Sequence, residues 1–236
     1  MKDDEQNPDK ARKPSRKERR EAEKKKMDKP EKPSKTRGDT RQHLIDATLE
    51  RIEADKNGMA GLSLREVTKA AGVSPTAFYR HFADLEELGL AAVEESSGML
   101  RRMLRDVRKA ESPADMISKS VEIFVRYVLE NRALWLMLTR ERVGGSARIR
   151  AAIRNQISHY STELASDLRL LNVLPQMTQS DLQRLANMVI ALAVNSAADI
   201  LDLPTDQPRE AKELIDYLNR QMQILILGAI NWKPSA

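Results

Sequence analysis

The chain has 236 residues, 40 Lys/Arg against 35 Asp/Glu and no cysteine, enough for one domain or two small ones. The missing cysteine excludes a disulfide framework, a thiolate nucleophile and any Cys-based metal site. Charged residues at 32%, only 19 Gly and Pro, and an apolar mass of Leu, Ile, Val, Met and Ala suit a helical protein.

The basic balance lies at the N-terminus. Residues 1–37 carry 15 Lys/Arg against 9 Asp/Glu, while the remainder carries 25 against 26. With Met1, Ala11, Ala22 and Met27 as its only apolar residues, this segment buries too little surface to offset chain entropy, and it reads as a disordered basic tail. It has no apolar h-region, which argues against a secretory signal. The longest uninterrupted apolar runs are seven residues, 188–194 and 224–230, against the roughly 20 a membrane span needs. A soluble, cytoplasmic chain is expected. The tail solubilises, and its charge would also add sequence-independent DNA affinity through counterion release.

A first helix is expected from about Asp39, with Leu44, Ile45, Leu49 and Ile52 on one face and Asn57-Gly58 ending it. Ser63-x-x-Glu66 then forms a capping box for a helix carrying Leu64, Val67, Ala70 and Ala71. Gly72 stops that helix. Ser74-Pro75 restarts it, with Ser as N-cap and Pro where no N–H is needed. Helix, Gly-containing turn and helix make a helix-turn-helix. In the second helix Thr76 and Ala77 are small enough to let its N-terminus approach base edges. Tyr79, Arg80 and His81 suit phosphates. Phe78 and Phe82 read as core anchors. Arg65 is a further phosphate candidate, and a plain surface arginine is the other reading. The DNA-binding set is therefore Arg65, Ser74, Pro75, Thr76, Ala77, Tyr79, Arg80 and His81.

Asp84-x-x-Glu87 opens a longer helix through Leu88, Val93, Met99, Leu100, Met103 and Val107. Further helices follow from Ser112-Pro113, from Asn131 to Arg142, from Ser146 to Leu171, from Leu182 to Leu201 after a Thr178-x-x-Asp181 cap, and from Pro208 to about Trp232. The fold class is all-α, with three N-terminal helices and six beyond. Three segments are expected: a tail (1–37), a helix-turn-helix domain (38–84) and a helical effector-binding and dimerisation domain (85–234). Enzymatic motifs such as G-x-x-x-x-G-K-[ST], G-x-S-x-G and H-E-x-x-H are absent, and the three His are scattered. No catalytic residue, metal site or cofactor is expected.

The last two helices are apolar on more than one face. Leu185, Met188, Val189, Ile190, Leu192 and Val194 lie on one, Leu218, Met222, Leu225, Ile226 and Leu227 on the other. Such helices must be buried, in their own domain or against a second subunit.

Residues 40–90 resemble the DNA-binding domain of the TetR family of bacterial repressors. The shared pattern runs through Ser63, Leu64, Arg65, Glu66, Val67, Ala71, Gly72, Val73, Ser74, Tyr79, Phe82, Glu86, Glu87 and Leu88. Where many members carry a phosphate-contacting Lys near the start of the fourth helix, this chain has Leu85. Pro75 to Phe82, Asp84-x-x-Glu87-Leu88-Gly89-Leu90 and Arg140-Glu141-Arg142 with Ser146 and Arg150-Ala151-Ala152 are more closely similar to the FabR/DesT branch, repressors of unsaturated fatty acid synthesis and desaturation. The resemblance implies a homodimer built on the last two helices, a pseudo-palindromic double-stranded operator, and a long-chain acyl-CoA or acyl-ACP effector. Phe124, Tyr127, Trp135, Met137 and Met188 are candidates to line an acyl cavity, and ordinary core is the other reading. Arg140 and Arg142 are candidates for the thioester's phosphates, or for an ion-pair cluster around Glu141. The alternatives are a TetR-like repressor with an unrelated hydrophobic effector and an architectural, nucleoid-associated DNA-binding protein.

Overall fold

A computed structural model describes residues 37–55, 57–95, 113–204 and 208–233. The chain divides into two units, Met1–Asp39 and Thr40–Ala236. The tail, and the expected helix positions Met99, Leu100, Met103 and Val107, lie outside the described residues. Every regular element among the described residues is helical, as the all-α, TetR-like reading expects. The helices are α1 (Arg37–Asp55), α2 (Leu64–Ala70), α3 (Pro75–Phe78), α4 (85–95), α5 (Pro113–Glu130), α6 (Arg132–Glu141), α7 (Ala147–Leu170), α8 (Gln179–Leu201) and α9 (Pro208–Ile230). Between α1 and α2 lies a 3-10 turn, Met59–Gly61, that hydrophobic periodicity does not reveal.

The caps act as the side-chain chemistry predicts. The Glu66 amide donates to Ser63 Oγ at 3.3 Å and the Ser63 amide donates back to Glu66 Oε2 at 3.0 Å. The Ser63 hydroxyl, which donates to Glu66 Oε2 at 2.6 Å, and then the Ser63 amide hold the Glu66 carboxyl below the usual glutamate range. Helix α2 ends in a Schellman turn: Val73 N–H reaches Thr68 O at 3.0 Å, Gly72 N–H reaches Lys69 O at 3.2 Å, and Gly72 sits at φ +65°. The Ala77 amide donates to Ser74 Oγ at 3.2 Å, with Pro75 in the first turn. At α4 the Glu87 amide donates to Asp84 Oδ1 at 2.8 Å, while Glu87 Oε2 accepts from Ala83 N–H. Helix α7 closes on the same turn as α2, with Asn172 at φ 49°.

Three apolar clusters hold the molecule together. The first joins α1, α2, α3 and α4 (Leu44, Ile52, Val67, Phe78, Leu88, Val93) to Met137 of α6 and to Ile149 and Ile153 of α7. The second gathers Phe124, Val125, Val128, Trp135, Ala197, Ile200 and Leu218 from α5, α6, α8 and α9. Leu136 and Leu138 of α6 pack against both. The third lies at the far end of α7, α8 and α9, around Leu168, Leu174, Leu182 and Ala229. Helix α8 is long and apolar enough by composition to cross a membrane. It packs against α5, α6, α7 and α9, which buries part of that apolar surface.

Candidate DNA interface and effector cavity

The helix-turn-helix is anchored from behind. Phe78 is fully buried and Phe82 nearly so, with ring centroids 5.7 Å apart. The Arg41 guanidinium lies 5.4 Å from the Phe82 ring centre and 3.7 Å from Glu95, tying α1 to α4. Helix α3 is one regular turn, and bonds to the third residue back carry its coil onward: Arg80 N–H to Ala77 O at 3.3 Å and His81 N–H to Phe78 O at 2.9 Å. The segment expected as one helix to Phe82 therefore tightens into turns after Phe78.

Among the expected DNA-contacting residues, Arg65, Ser74, Pro75, Thr76, Tyr79 and Arg80 are exposed, and Ala77 and His81 are half-buried. Tyr79 stands 59% exposed while its ring meets Phe78 edge-on at 5.6 Å. An aromatic ring presented this openly, with a hydroxyl at its tip, suits a phosphate more than a core. Leu85 is half-buried against the first cluster, so it serves packing where the resemblance implies a phosphate-contacting Lys.

Behind this domain, a cavity of about 50 Å³ opens among α4, α5, α6, α7 and α8. Tyr127, Trp135 and Arg142 line it. Its other walls include Leu138 and Thr139 of α6, Ile153, Gln156 and Tyr160 of α7, and Val194 of α8. The remaining expected effector residues lie elsewhere. Phe124 stands behind the wall, edge-on to Trp135 at 5.4 Å. Met137 points into the first cluster with the DNA-binding helices. Met188 is 52% exposed on α8. Arg140 is exposed, with its stem against Gly58. Helical geometry explains the split: positions 135, 138, 139 and 142 share one face of α6, while 137, 140 and 141 lie on the other.

Burial pushes the Tyr127 phenol above its usual range. Among the described residues, Trp135 Nε1 and Gln156 Oε1 are buried with no hydrogen-bond partner. They are a donor and an acceptor on two residues that line the cavity, groups of the kind that orient a ligand. Arg142 is held at the cavity's edge by a 2.9 Å bond from Nη2 to Asn195 Oδ1.

Two polar contacts that motif reading does not reveal tie α6 to the turn before α2, and α4 to the start of α7. Glu141, almost fully buried, accepts the Met59 amide on Oε1 at 2.8 Å. Glu86 of α4 accepts from Ser146 Oγ at 2.5 Å and from Arg148 Nη1 at 2.7 Å. The Ser146 hydroxyl and then Arg148 hold the Glu86 carboxyl below the usual glutamate range. Ser146 is also the N-cap of α7, accepting the Ile149 amide at 3.1 Å.

A buried three-helix head with an exposed α3, joined to an all-helical body with its own cavity, defines a helix-turn-helix regulator. The chain belongs to the TetR family of bacterial transcriptional regulators. A family model described as "Bacterial regulatory proteins, tetR family" matches residues 44–92, and one described as "Tetracyclin repressor-like, C-terminal domain" matches residues 113–225. The fold is similar to that of a putative TetR-family regulator from Syntrophomonas wolfei (15% identity, 81% of this chain and 96% of that one, TM-score 0.67). The fatty acid degradation regulator FadR of Bacillus halodurans is similar at 16% identity over 80% and 95% of the two chains, with a TM-score of 0.63. FadR of Bacillus subtilis, solved in complex with stearoyl-CoA, is similar at 16% identity over 79% and 98%, with a TM-score of 0.60.

Proposed function

We propose that this protein is a homodimeric, cytoplasmic repressor of genes for unsaturated fatty acid synthesis or desaturation, released from or driven onto its operator by a long-chain acyl thioester. The observation that carries the effector reading is the cavity at Trp135. It is apolar, has one unpaired donor and one unpaired acceptor in its wall, and has Arg142 at its edge. The apolar walls suit an acyl chain, Trp135 Nε1 suits a carbonyl, and Arg142 suits phosphate. The FabR/DesT-like wording of residues 74–90 and 140–152 supports the target genes, and the stearoyl-CoA bound by the similar Bacillus subtilis regulator supports the ligand class.

Exposed Tyr217, Ile224, Leu227 and Ile230 recur on one face of α9, with Met188 exposed on α8. A second copy covering that face supports the dimer. It would set two α3 segments into successive major grooves, roughly 34 Å apart. The cavity of about 50 Å³ is smaller than an acyl chain. Binding therefore parts the surrounding helices, and the altered packing reaches the DNA-binding head.

The test is an operator-shift titration. Duplexes are selected from a random pool with the full-length chain, and oleoyl-CoA and palmitoyl-CoA are then added. The expected result is a severalfold change in operator affinity with at least one of them. No change with either rejects the lipid assignment.

A further inference from the structure

We infer that Glu141 is the positioning residue through which the cavity controls the DNA-binding head. This rests on the cavity being the effector site, and the experiment below is built to stand apart from that reading.

Helix α6 has two working faces. One lines the cavity with Trp135, Leu138, Thr139 and Arg142. The opposite face places Met137 in the core of the DNA-binding helices and Glu141 on the Met59 amide at 2.8 Å. A buried carboxylate with a backbone donor is a strong tether, because losing the bond strands a polar group away from water. Glu141 is 4% exposed, so no solvent replaces that partner.

The carboxylate also occupies space that two glycines leave free. A Cβ on Gly58 would lie 2.8 Å from Glu141 Oε1, and one on Gly144 would lie 2.5 Å from Oε2. Both neighbours lack a side chain where the carboxylate passes, so Glu141 reaches the Met59 amide only because they are glycine. Gly58 sits at φ +62°, a conformation that itself favours glycine.

Met59 passes the displacement on. Its side chain reaches Gly89 of α4, where a Cβ would lie 3.1 Å from Met59 Cε and 2.9 Å from Ile149 Cδ1. The 3-10 turn that Met59 opens leads directly, through Leu62, to the Ser63 cap of α2. A shift of α6 that makes room in the cavity therefore pulls on the turn that sets α2, and on α4 behind α3. Glu141 itself does not line the cavity.

The test is a double-mutant cycle in the full chain, with no effector present. Val194→Phe fills the cavity from α8, a wall other than α6, in place of a ligand. The readout is hydrogen exchange of the segment 57–62, which contains the Met59 amide. In the wild-type background, Val194→Phe is expected to change that exchange rate at least about fivefold, the lower end of ordinary allosteric coupling. In a Glu141→Ala background the same substitution is expected to change it by less than about twofold, the scatter of independent sites. Glu141→Gln, whose amide oxygen accepts the same bond, restores the response. A merely structural Glu141 would shift the baseline and leave the response to Val194→Phe intact. If Glu141→Ala does not fold, Gly144→Ala replaces it, since its methyl displaces the carboxylate without removing it. An equal response in the Glu141→Ala or Gly144→Ala background overturns the inference. So does no response in the wild type, or a Glu141→Gln that behaves like alanine. Failure of acyl-CoA to act on operator binding would reject the effector reading and leave this cycle standing.

Discussion

Phe78→Ala is expected to destabilise the whole described body and not only the DNA-binding head. The ring is fully buried, and it meets Phe82 at 5.7 Å and Tyr79 at 5.6 Å. Truncating such a phenylalanine costs about 3–5 kcal/mol, the lost aromatic pairs included. That is a large share of the ~5–15 kcal/mol that a typical domain has in total. The cluster around Phe78 also contains Met137, Ile149 and Ile153, and Leu136 and Leu138 connect it to the cluster around Trp135. Damage at Phe78 should therefore propagate to Trp135. Urea unfolding at fixed protein concentration, followed by far-UV circular dichroism and by tryptophan fluorescence, tests this. Both signals are expected to move together to a lower midpoint. An early loss of ellipticity with the tryptophan midpoint unmoved would refute the shared core, and a loss under about 1.5 kcal/mol would refute the packing estimate.

Arg65→Ala and Arg80→Ala are each expected to weaken binding to every duplex alike and to lower the slope of log K against log salt by about 1; unchanged slopes measured by fluorescence anisotropy would remove their phosphate role. The Glu86 carboxyl titrates lower in the folded chain than in the unfolded one. Its bonds to Ser146 and Arg148 thus contribute fully above the usual glutamate range and are lost as pH falls through the depressed value. Glu86→Gln should flatten that acid limb in thermal melts from neutral pH downward, and an identical limb would count against the contact. Leu227→Arg places a charge on the exposed apolar face of α9, where Leu227 is 59% exposed. It is expected to convert dimer to monomer in analytical ultracentrifugation with the helix content retained, and an unchanged sedimentation profile would move the interface elsewhere.

Much of the fold was legible because its signals are local. Ser63, Ser74, Asp84, Ser146 and Thr178 all accept the amide that their spacing to the next helix implies. Exposure of Thr76, Tyr79 and Arg80 follows from the same periodicity, because Phe78 and Phe82 claim the buried face, and Arg65 is exposed because Val67 and Thr68 claim that of α2. The cavity was less legible. Met137 and Trp135 are both apolar residues of α6, and only the tertiary arrangement decides which of its two faces meets the head and which meets α7 and α8. Met188 is apolar and yet exposed in the monomer, a position hydropathy alone assigns to a core.

Glu141 shows the limit most clearly. Between Arg140 and Arg142 it reads as one of three surface charges. Yet Arg140 turns toward Gly58, Arg142 bonds to Asn195 across 53 residues of chain, and Glu141 bonds to Met59 across 82. None of these partners is within a helical turn, so no spacing rule reaches them. They become visible through the glycines: Gly58 and Gly144 each leave open the place where a Cβ would strike the same carboxylate. Two glycines flanking one buried acid, at a junction between the cavity wall and the DNA-binding head, mark a contact that no larger residue would permit. Gly58→Ala and Gly144→Ala should accordingly disturb this junction more than Gly145→Ala, whose Cβ would meet open space.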